Sequence, residues 1–398
     1  MISATLNEFV KEHENDDIHV LALRAIQYPE IDMQLAIRQI TGRQIAKEKI
    51  PGWYINENIL YPKHLSLEQS SSEKTARYKA NLVDGDRMVD LTGGMGVDFS
   101  FLATRFKQAV YVEQQTELTE IATHNFKELG LANVTVKNTD ALSYLQEAAP
   151  ADLIYIDPAR RDTTGRKTVS IEDCTPNILE FENLLDEKGK LTMIKLSPML
   201  DISLALKSLS DISDVHIVSH NNECKELLFI KRKTNGETRY HCVNIQKEKT
   251  DILSFTREQE EKMAIGYKPQ IGKYLYEPNA SITKAGAYKY LSTYYNIDKI
   301  HPNSHLYTSN SLISDFHGRS FIIENVCSLN KKDVKQHLQN IKQANITTRN
   351  FPLSVQELRK RTGLKEGGEI FIFATTLANE KKVLLICKKQ INSPLIVF

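Results

Sequence analysis

The segment Val89 to Asp98, VDLTGGMGVD, constrains the fold more than any other part of the chain. An apolar run ends at Asp90, glycines follow at 93, 94 and 96, and an amphipathic run from Phe99 to Phe106 comes next. A strand that ends in a glycine-rich turn and opens a helix is a cradle for a nucleotide-containing ligand. Glycine accepts positive φ and lets the backbone approach a ligand without a Cβ in the way. The helix N-terminus then presents unpaired N–H groups. Glycine turns are common, so the weight of this one comes from what lies downstream.

The next apolar run, Ala109 to Glu113, closes on an acid 23 residues after Asp90. That is where α/β units grip a ribose diol. NVTVKNTDAL then places Asp140 just past a short strand, and ADLIYIDPARRD runs a fully apolar strand into Asp157-Pro158-Ala159-Arg160-Arg161-Asp162. Four successive strands, each closing on a polar or acidic residue, line those side chains along one carboxyl edge of a parallel sheet. Open α/β sheets bind their ligands at that edge.

In these residues the chain resembles the class I S-adenosylmethionine-dependent methyltransferases. The resemblance implies an α/β fold: a Rossmann-like methyltransferase sheet with an N-terminal helical segment and a small α+β C-terminal domain. It implies S-adenosyl-L-methionine as cofactor. Asp90, Thr92, Gly93, Gly94, Gly96 and Asp98 would surround its methionine and ribose, Glu113 would take the ribose hydroxyls, and Asp140 the adenine amine. Asp157, Pro158 and Arg160 would form the reaction edge. A dinucleotide-binding dehydrogenase would show G-x-G-x-x-G, whereas the spacing here is G-G-x-G. Amino-methylating members usually carry D/N-P-P and then an aromatic that stacks on the base. Ala159 and Arg160 stand in those places here, a form closer to uracil-C5 and some tRNA guanine enzymes. Uracil-C5 transfer needs a thiolate to activate the ring, yet the matching loop, Lys195 to Asp201, has Ser197 and no cysteine. Cys224 reads more readily as a structural thiol, so covalent catalysis is not expected.

Composition excludes more than it selects. The 398 residues carry 51 Lys and Arg against 50 Asp and Glu, so global charge gives no argument for nucleic acid. Five cysteines, none in C-x-x-C, fit reduced cytoplasmic thiols and neither disulfides nor zinc. No metal site is expected, since no H-x-E or clustered His/Cys spacing occurs. The N-terminus lacks the features of a signal peptide, and no apolar run reaches the roughly 18 residues that span a bilayer. No membrane association is expected.

Periodicity divides the chain into four stretches. Residues 1–70 read as a helical N-terminal segment, with Leu6, Phe9 and Val10, then Val20, Leu21, Leu23 and Ile26, then Leu35, Ile37 and Ile40 at helical spacing. Residues 71–245 read as the methyltransferase domain. Ser70-x-x-Glu73 predicts a capping box for a helix whose Tyr78 and Lys79 either overhang the cofactor or pack on the sheet. The strands Asp214 to His220 and Glu226 to Lys233 predict an antiparallel final pair. Residues 246–318 begin with a polar linker, to about 270, and continue as a small module. Residues 319–398 resume a β-α pattern with 13 Lys and Arg against 5 Asp and Glu from Lys331 onward. This arrangement is similar to bacterial methyltransferases that carry a small ferredoxin-like module and a C-terminal THUMP-like domain. THUMP domains occur in RNA-modifying enzymes, so the resemblance implies an RNA partner, tRNA or rRNA, and methylation of one of its bases.

Several residues keep two readings. Arg160, Arg161 and Arg166 suit phosphate through the guanidinium fork, or form a solvated loop. Lys195 and Ser197 end the fifth strand at the same edge and are placed to shape a substrate pocket. Glu223 is a turn acid or a substrate contact, and His220 reads as a structural loop residue. Lys331, Lys332, Lys335 and Lys342, with Arg359, Lys360 and Arg361, form either a phosphate-facing surface or a solvated one. Two other functions remain open: a small-molecule or protein methyltransferase, and a non-catalytic RNA-binding protein with a vestigial cofactor domain.

Overall fold

The computed structural model describes residues 3–62, 70–160, 171–232 and 236–390. The chain forms two compact units, Met1–Val215 with Glu226–Gly236, and His216–Lys225 with Glu237–Phe398.

The first unit is built on a sheet of β1 (Gly85–Asp90), β2 (Phe106–Glu113), β3 (Val134–Asn138), β4 (Ala151–Ile156), β7 (Gly189–Leu196), β8 (Ile212–His220) and β9 (Glu223–Lys231). A two-stranded ribbon, β5 (Ala159–Arg160) with β6 (Cys174–Thr175), stands apart from it. The sheet order is β8-β9-β7-β4-β1-β2-β3. Strands β7, β4, β1, β2 and β3 are mutually parallel, and β9 runs antiparallel to β7. The predicted mixed edge is present. Helices follow β1 (Val97–Leu102), β2 (Thr116–Glu128) and β3 (Ala141–Glu147). Met88, Tyr111, Leu153, Tyr155, Met193 and Ile230, from five neighbouring strands, form one apolar face against Phe99, Leu102, Ala122 and Phe126 of the helices. A period of two puts 153 and 155 on the same side of β4.

The N-terminal segment is helical, as its spacing predicts. Ser3, Asp17 and Asp32 cap helices Ala4–Glu12, Ile18–Leu23 and Met33–Lys49 through their side chains. Leu6, Phe9, Val10, Leu21, Ala36 and Ile40 make a small core of their own. A second cluster, Ala46, Ile50, Trp53, Ile59 and Tyr61, is continuous with Ala76, Met95 and Val97. The segment is therefore part of the same unit as the glycine loop. Trp53 Nε1 donates to Ser100 Oγ at 3.2 Å. Asn125 accepts from the Leu60 N–H and donates to its carbonyl, both at 2.8 Å. One expectation is corrected. Helix Glu73–Ala80 is capped by Ser72, not Ser70, because Glu73 turns away to accept from Gly52 N at 2.6 Å and to pair with Arg77.

The second unit begins at the tip of the β8–β9 hairpin, where Asn221 and Asn222 take positive φ of 49° and 66°, the two-residue pattern that matches strand twist. Strands β10 (Arg239–Ile245) and β11 (Thr250–Thr256) pair antiparallel. The linker expected from 246 is thus a strand followed by a helix, Arg257–Lys262, with a Thr256–Gln259 capping box. Its alternation, TDILSFT, was obscured by the charges around it. A seven-stranded sheet follows, in the order β13 (Asp298–Lys299), β14 (Tyr307–Ser309), β12 (Tyr274–Pro278), β15 (Gly318–Cys327), β18 (Lys382–Lys389), β17 (Ile370–Thr376) and β16 (Asn345–Arg349). One face, with Ile346, Ile372, Ala374, Leu384 and Ile386, packs beneath Leu338 of helix Lys331–Leu338 and Leu358 of helix Val355–Thr362. The other, with Phe321, Phe373, Leu385 and Cys387, packs against Leu275, Ile300 and Leu306.

Candidate active site

The glycine loop closes β1 and opens helix Val97–Leu102, as predicted. Each glycine is there for a different reason. A Cβ at Gly93 would lie 2.1 Å from the Tyr111 ring, and one at Gly96 would lie 2.8 Å from Phe126 at a φ of +82°. Tyr111, Phe126 and Phe99 pack at centroid distances of 4.9–5.4 Å, each pair adding about 0.5–1.5 kcal/mol beyond its buried area. They form a rigid floor under the loop, and the Tyr111 hydroxyl donates to Gly94 O at 2.5 Å. Gly94 differs. Its φ is +56°, and a Cβ there would meet nothing closer than Thr92 O at 3.7 Å. That is the open side of a cradle.

Carboxylates ring this opening. Asp90 is buried and accepts from Thr92 N at 2.9 Å. Burial pushes its carboxyl well up, and Asp98, Asp157 and Glu113 add to the shift while the Thr92 N–H opposes it. Glu113 is also buried. It accepts from Gly94 N at 2.9 Å and from Gln115 N at 2.8 Å, tying the end of β2 to the loop. Asp140 caps helix Ala141–Glu147 by accepting from Ser143 N at 2.9 Å, and bonds to Ser143 hold its carboxyl low. Thr92 Oγ1 accepts from Asp157 N at 2.6 Å, joining the first and fourth strand ends. A sulfonium cofactor carrying a ribose and an amine fits this ring. It brings positive charge to several acids, and the open face of Gly94 lets it approach the backbone.

Beneath the edge lies a buried ionic network. Lys195 Nζ is 2.5 Å from Asp157 Oδ2, 3.3 Å from Asp98 Oδ2 and 3.1 Å from Ser71 Oγ. Lys79 Nζ is 3.1 Å from Asp98 Oδ1, 2.5 Å from Glu226 Oε1 and 3.3 Å from Ser71 Oγ. Ser71 and the Tyr155 hydroxyl each donate to Asp98 Oδ2 at 2.7 Å. Burial opposes ionisation of Asp98, but Lys79 and Lys195 outweigh it and its carboxyl is held low. Burial raises the carboxyls of Asp157 and Glu226 in spite of the same two ammoniums. Burial also works against the Lys195 ammonium, yet Asp157 and Asp98 hold its pKa well up. Asp157 keeps 35% of its side chain exposed, whereas Lys79 is wholly buried.

The remaining expected residues differ in setting. Pro158 is buried and Ala159 exposed, and Arg160 lies in the ribbon strand β5. Arg161 and Arg166 lie outside the described residues. Ser197 accepts from Met199 N at 3.3 Å in the turn after β7. Lys195 points inward to its carboxylates, with 9% of the residue exposed. Tyr78 is half-buried, and burial pushes its hydroxyl up. Glu223 belongs to the second unit, is exposed and pairs with Lys225 at 2.7 Å. Sequence reasoning missed Ser71, Tyr155 and Glu226. A signal for Lys79 existed, since Thr75, Ala76, Lys79 and Ala80 fall on one buried helix face. Among the described residues there is no group of three or more side chains suited to a metal, and no helix long and apolar enough to cross a membrane.

Three protein families match parts of the chain. Residues 63–166 match the protein-L-isoaspartate(D-aspartate) O-methyltransferase family, 274–316 a ferredoxin-like domain and 318–389 a THUMP domain-like family. A crystal structure from Porphyromonas gingivalis W83, described provisionally as a methyltransferase, is 33% identical, with 97% of this chain and 98% of that one aligned at a TM-score of 0.86. Uncharacterised S-adenosylmethionine-dependent methyltransferases from two strains of Mycobacterium tuberculosis are each 21% identical over 317 residues, 78% of this chain and 83% of theirs.

Proposed function

Because the chain belongs to the class I S-adenosylmethionine-dependent methyltransferases with a ferredoxin-like module and a THUMP-like domain, we propose that its acceptor is RNA, a tRNA or rRNA, docked by the C-terminal domain. The observation that carries this reading is the exposed basic surface of that domain. Lys331, Lys332, Lys335, Lys342, Lys360 and Arg361 are all exposed on or beside the two helices that cover one face of the sheet. Arg359 is excepted, since it donates to Ala344 O and Leu364 O at 3.3 Å and serves the fold. Phosphate contacts of this kind position an RNA by shape and charge.

In this reading Asp90, Thr92, Gly93, Gly94 and Gly96 hold the methionine and ribose part of the cofactor, Glu113 the ribose hydroxyls and Asp140 the adenine amine. Tyr78 and Asp98 back the same wall. Bound S-adenosylmethionine supplies an electrophilic methyl group on a sulfonium. The chain's part is to hold an acceptor in line at the Asp157-Pro158 edge. Arg160, Arg161 and Ser197 are further candidates for contact with the acceptor. A reducing cytoplasm suits the five cysteines, none of which is in a disulfide.

The test is a salt titration of structured-RNA binding by the full chain and by the Lys331→Glu/Lys332→Glu/Lys335→Glu variant. Every phosphate that the variant no longer neutralises should flatten the slope of log affinity against log salt by about 0.7 on single-stranded segments. Equal slopes for the two proteins, or no salt dependence in either, would remove the RNA-docking role. A small-molecule or protein acceptor would then become the better reading.

A further inference from the structure

We propose that the acceptor atom is an alcohol oxygen, the 2′-hydroxyl of a ribose in the RNA, and that Lys195 and Asp157 are the groups that activate it. The inference rests on the RNA reading above and sharpens it.

The argument starts from the charge that each acceptor class develops. An exocyclic amine gains positive charge as it takes a methyl group, so a fixed ammonium beside it raises the barrier. A pyrimidine C5 carbon needs a thiolate, and the first unit's cysteine, Cys174, is buried. A base also needs a surface to stack on, and the position after Asp157-Pro158 is an exposed alanine, Ala159. An alcohol has the opposite requirement. Its proton must leave, and the oxygen is electron-rich as it does so, which a nearby preorganised cation stabilises. The edge offers this combination. The Asp157 side chain keeps 35% of its surface exposed, and Lys195 Nζ lies 2.5 Å from its Oδ2. In RNA every internal nucleotide carries such a group, and it is the one by which a protein distinguishes RNA from DNA.

The step balances. The acceptor oxygen forms a bond to the methyl carbon as the carbon–sulfur bond breaks and the cofactor leaves as a neutral thioether. The hydroxyl proton passes to Asp157 and from its exposed side to water. Lys195 keeps its proton throughout. Ser71 and Asp98 orient Lys195 through bonds of 3.1 and 3.3 Å. Lys79, held between Asp98 and Glu226, fixes Asp98. These four are positioning residues.

The experiment incubates the full-length protein with methyl-deuterated S-adenosylmethionine and total RNA from a strain lacking the gene, then locates the label by nucleoside mass spectrometry. Label on ribose, in dinucleotides that resist alkaline cleavage, is the expected result. Label on a base overturns the alcohol acceptor and leaves the RNA reading standing. No label in RNA overturns both. Lys195→Met should lower transfer about a hundredfold or more while calorimetric affinity for S-adenosylhomocysteine stays within about twofold, and Lys195→Arg should recover part of the rate. In the protein without cofactor, Lys195→Met should also move the Asp157 carboxyl titration upward by NMR. An unmoved titration, or a lysine-free variant that transfers at the parent rate, overturns the assignment.

Discussion

The two units bury lysines in opposite ways. In the first, Lys79 and Lys195 lie among Asp98, Asp157 and Glu226, and the pKa of Lys195 is raised despite its burial. In the second, Lys299 is also buried, at 3% exposure, yet burial brings its pKa down to about 8. Its ammonium donates to the Pro302 carbonyl and sits 4.9 Å over the Tyr288 ring. The nearby carboxylate, Glu260, raises it only in part, because Glu260 is occupied by the N–H groups of Tyr288, Lys289 and Tyr290 at 2.7–3.2 Å. All three lysines are buried, so the partner decides how firmly the proton is held. Charge held ionised under a ligand edge suits chemistry on a developing charge, whereas a lysine bonded to neutral groups suits a scaffold.

The largest effect should come from breaking the paired charges of the first unit. Lys79→Met leaves Asp98 and Glu226 short of a cation in a buried site and should cost about 3–5 kcal/mol. The double variant Lys79→Met/Glu226→Leu should regain much of it. Trp53, the chain's one tryptophan, is buried in the first unit, so its fluorescence in urea follows this unit. A single-variant loss below about 1 kcal/mol would mean that the network is solvated and the contrast between the units false.

The sequence made one half of this contrast legible and hid the other. The glycine loop, Glu113, Asp140 and Asp157 could be read because each sits at a strand end, where local pattern and topology coincide. Lys79 and Glu226 could not be paired, since 147 residues separate them and only the β7–β9 pairing brings Glu226 to the edge. The position of Lys195 was legible but its direction was not. A residue ending a strand can face ligand or core, and the carboxylates that turn Lys195 inward come from β4 and from the helix after β1. In the second unit the β-α order was visible from Arg319 onward, while β11 was lost among charged neighbours.

A smaller effect tests the acid ring by itself. Glu113→Ala removes a buried carboxylate that spans Gly94 N and Gln115 N, and with it the proposed bond to the ribose. Calorimetric affinity for S-adenosylhomocysteine should fall by about 1.5–3 kcal/mol. Unchanged affinity would falsify the ribose assignment and leave Glu113 as a brace for the loop.

The smallest effect belongs to the second unit and depends on pH. His305 stacks on Tyr288 at 3.8 Å with φ of +51°, and its Nδ1 is buried without a hydrogen-bond partner. Burial, helped by Lys299 and Arg349, brings its pKa down from 6.5 to about 4. The folded state therefore binds this proton less readily than the unfolded chain does. Stability is fully present above pH 6.5 and is lost as pH falls toward 4. The ring is only half-buried and solvent screens it, so the loss should be on the order of 1 kcal/mol. The reporter must be local, because Trp53 does not see this unit and a two-unit chain need not unfold in one step. Hydrogen exchange of the β14 and β15 amides suits the purpose. Protection should decline between pH 6.5 and 4 in the parent, after correction for intrinsic exchange rates, and stay flat in His305→Gln. If the variant declines in parallel, the acid sensitivity arises elsewhere.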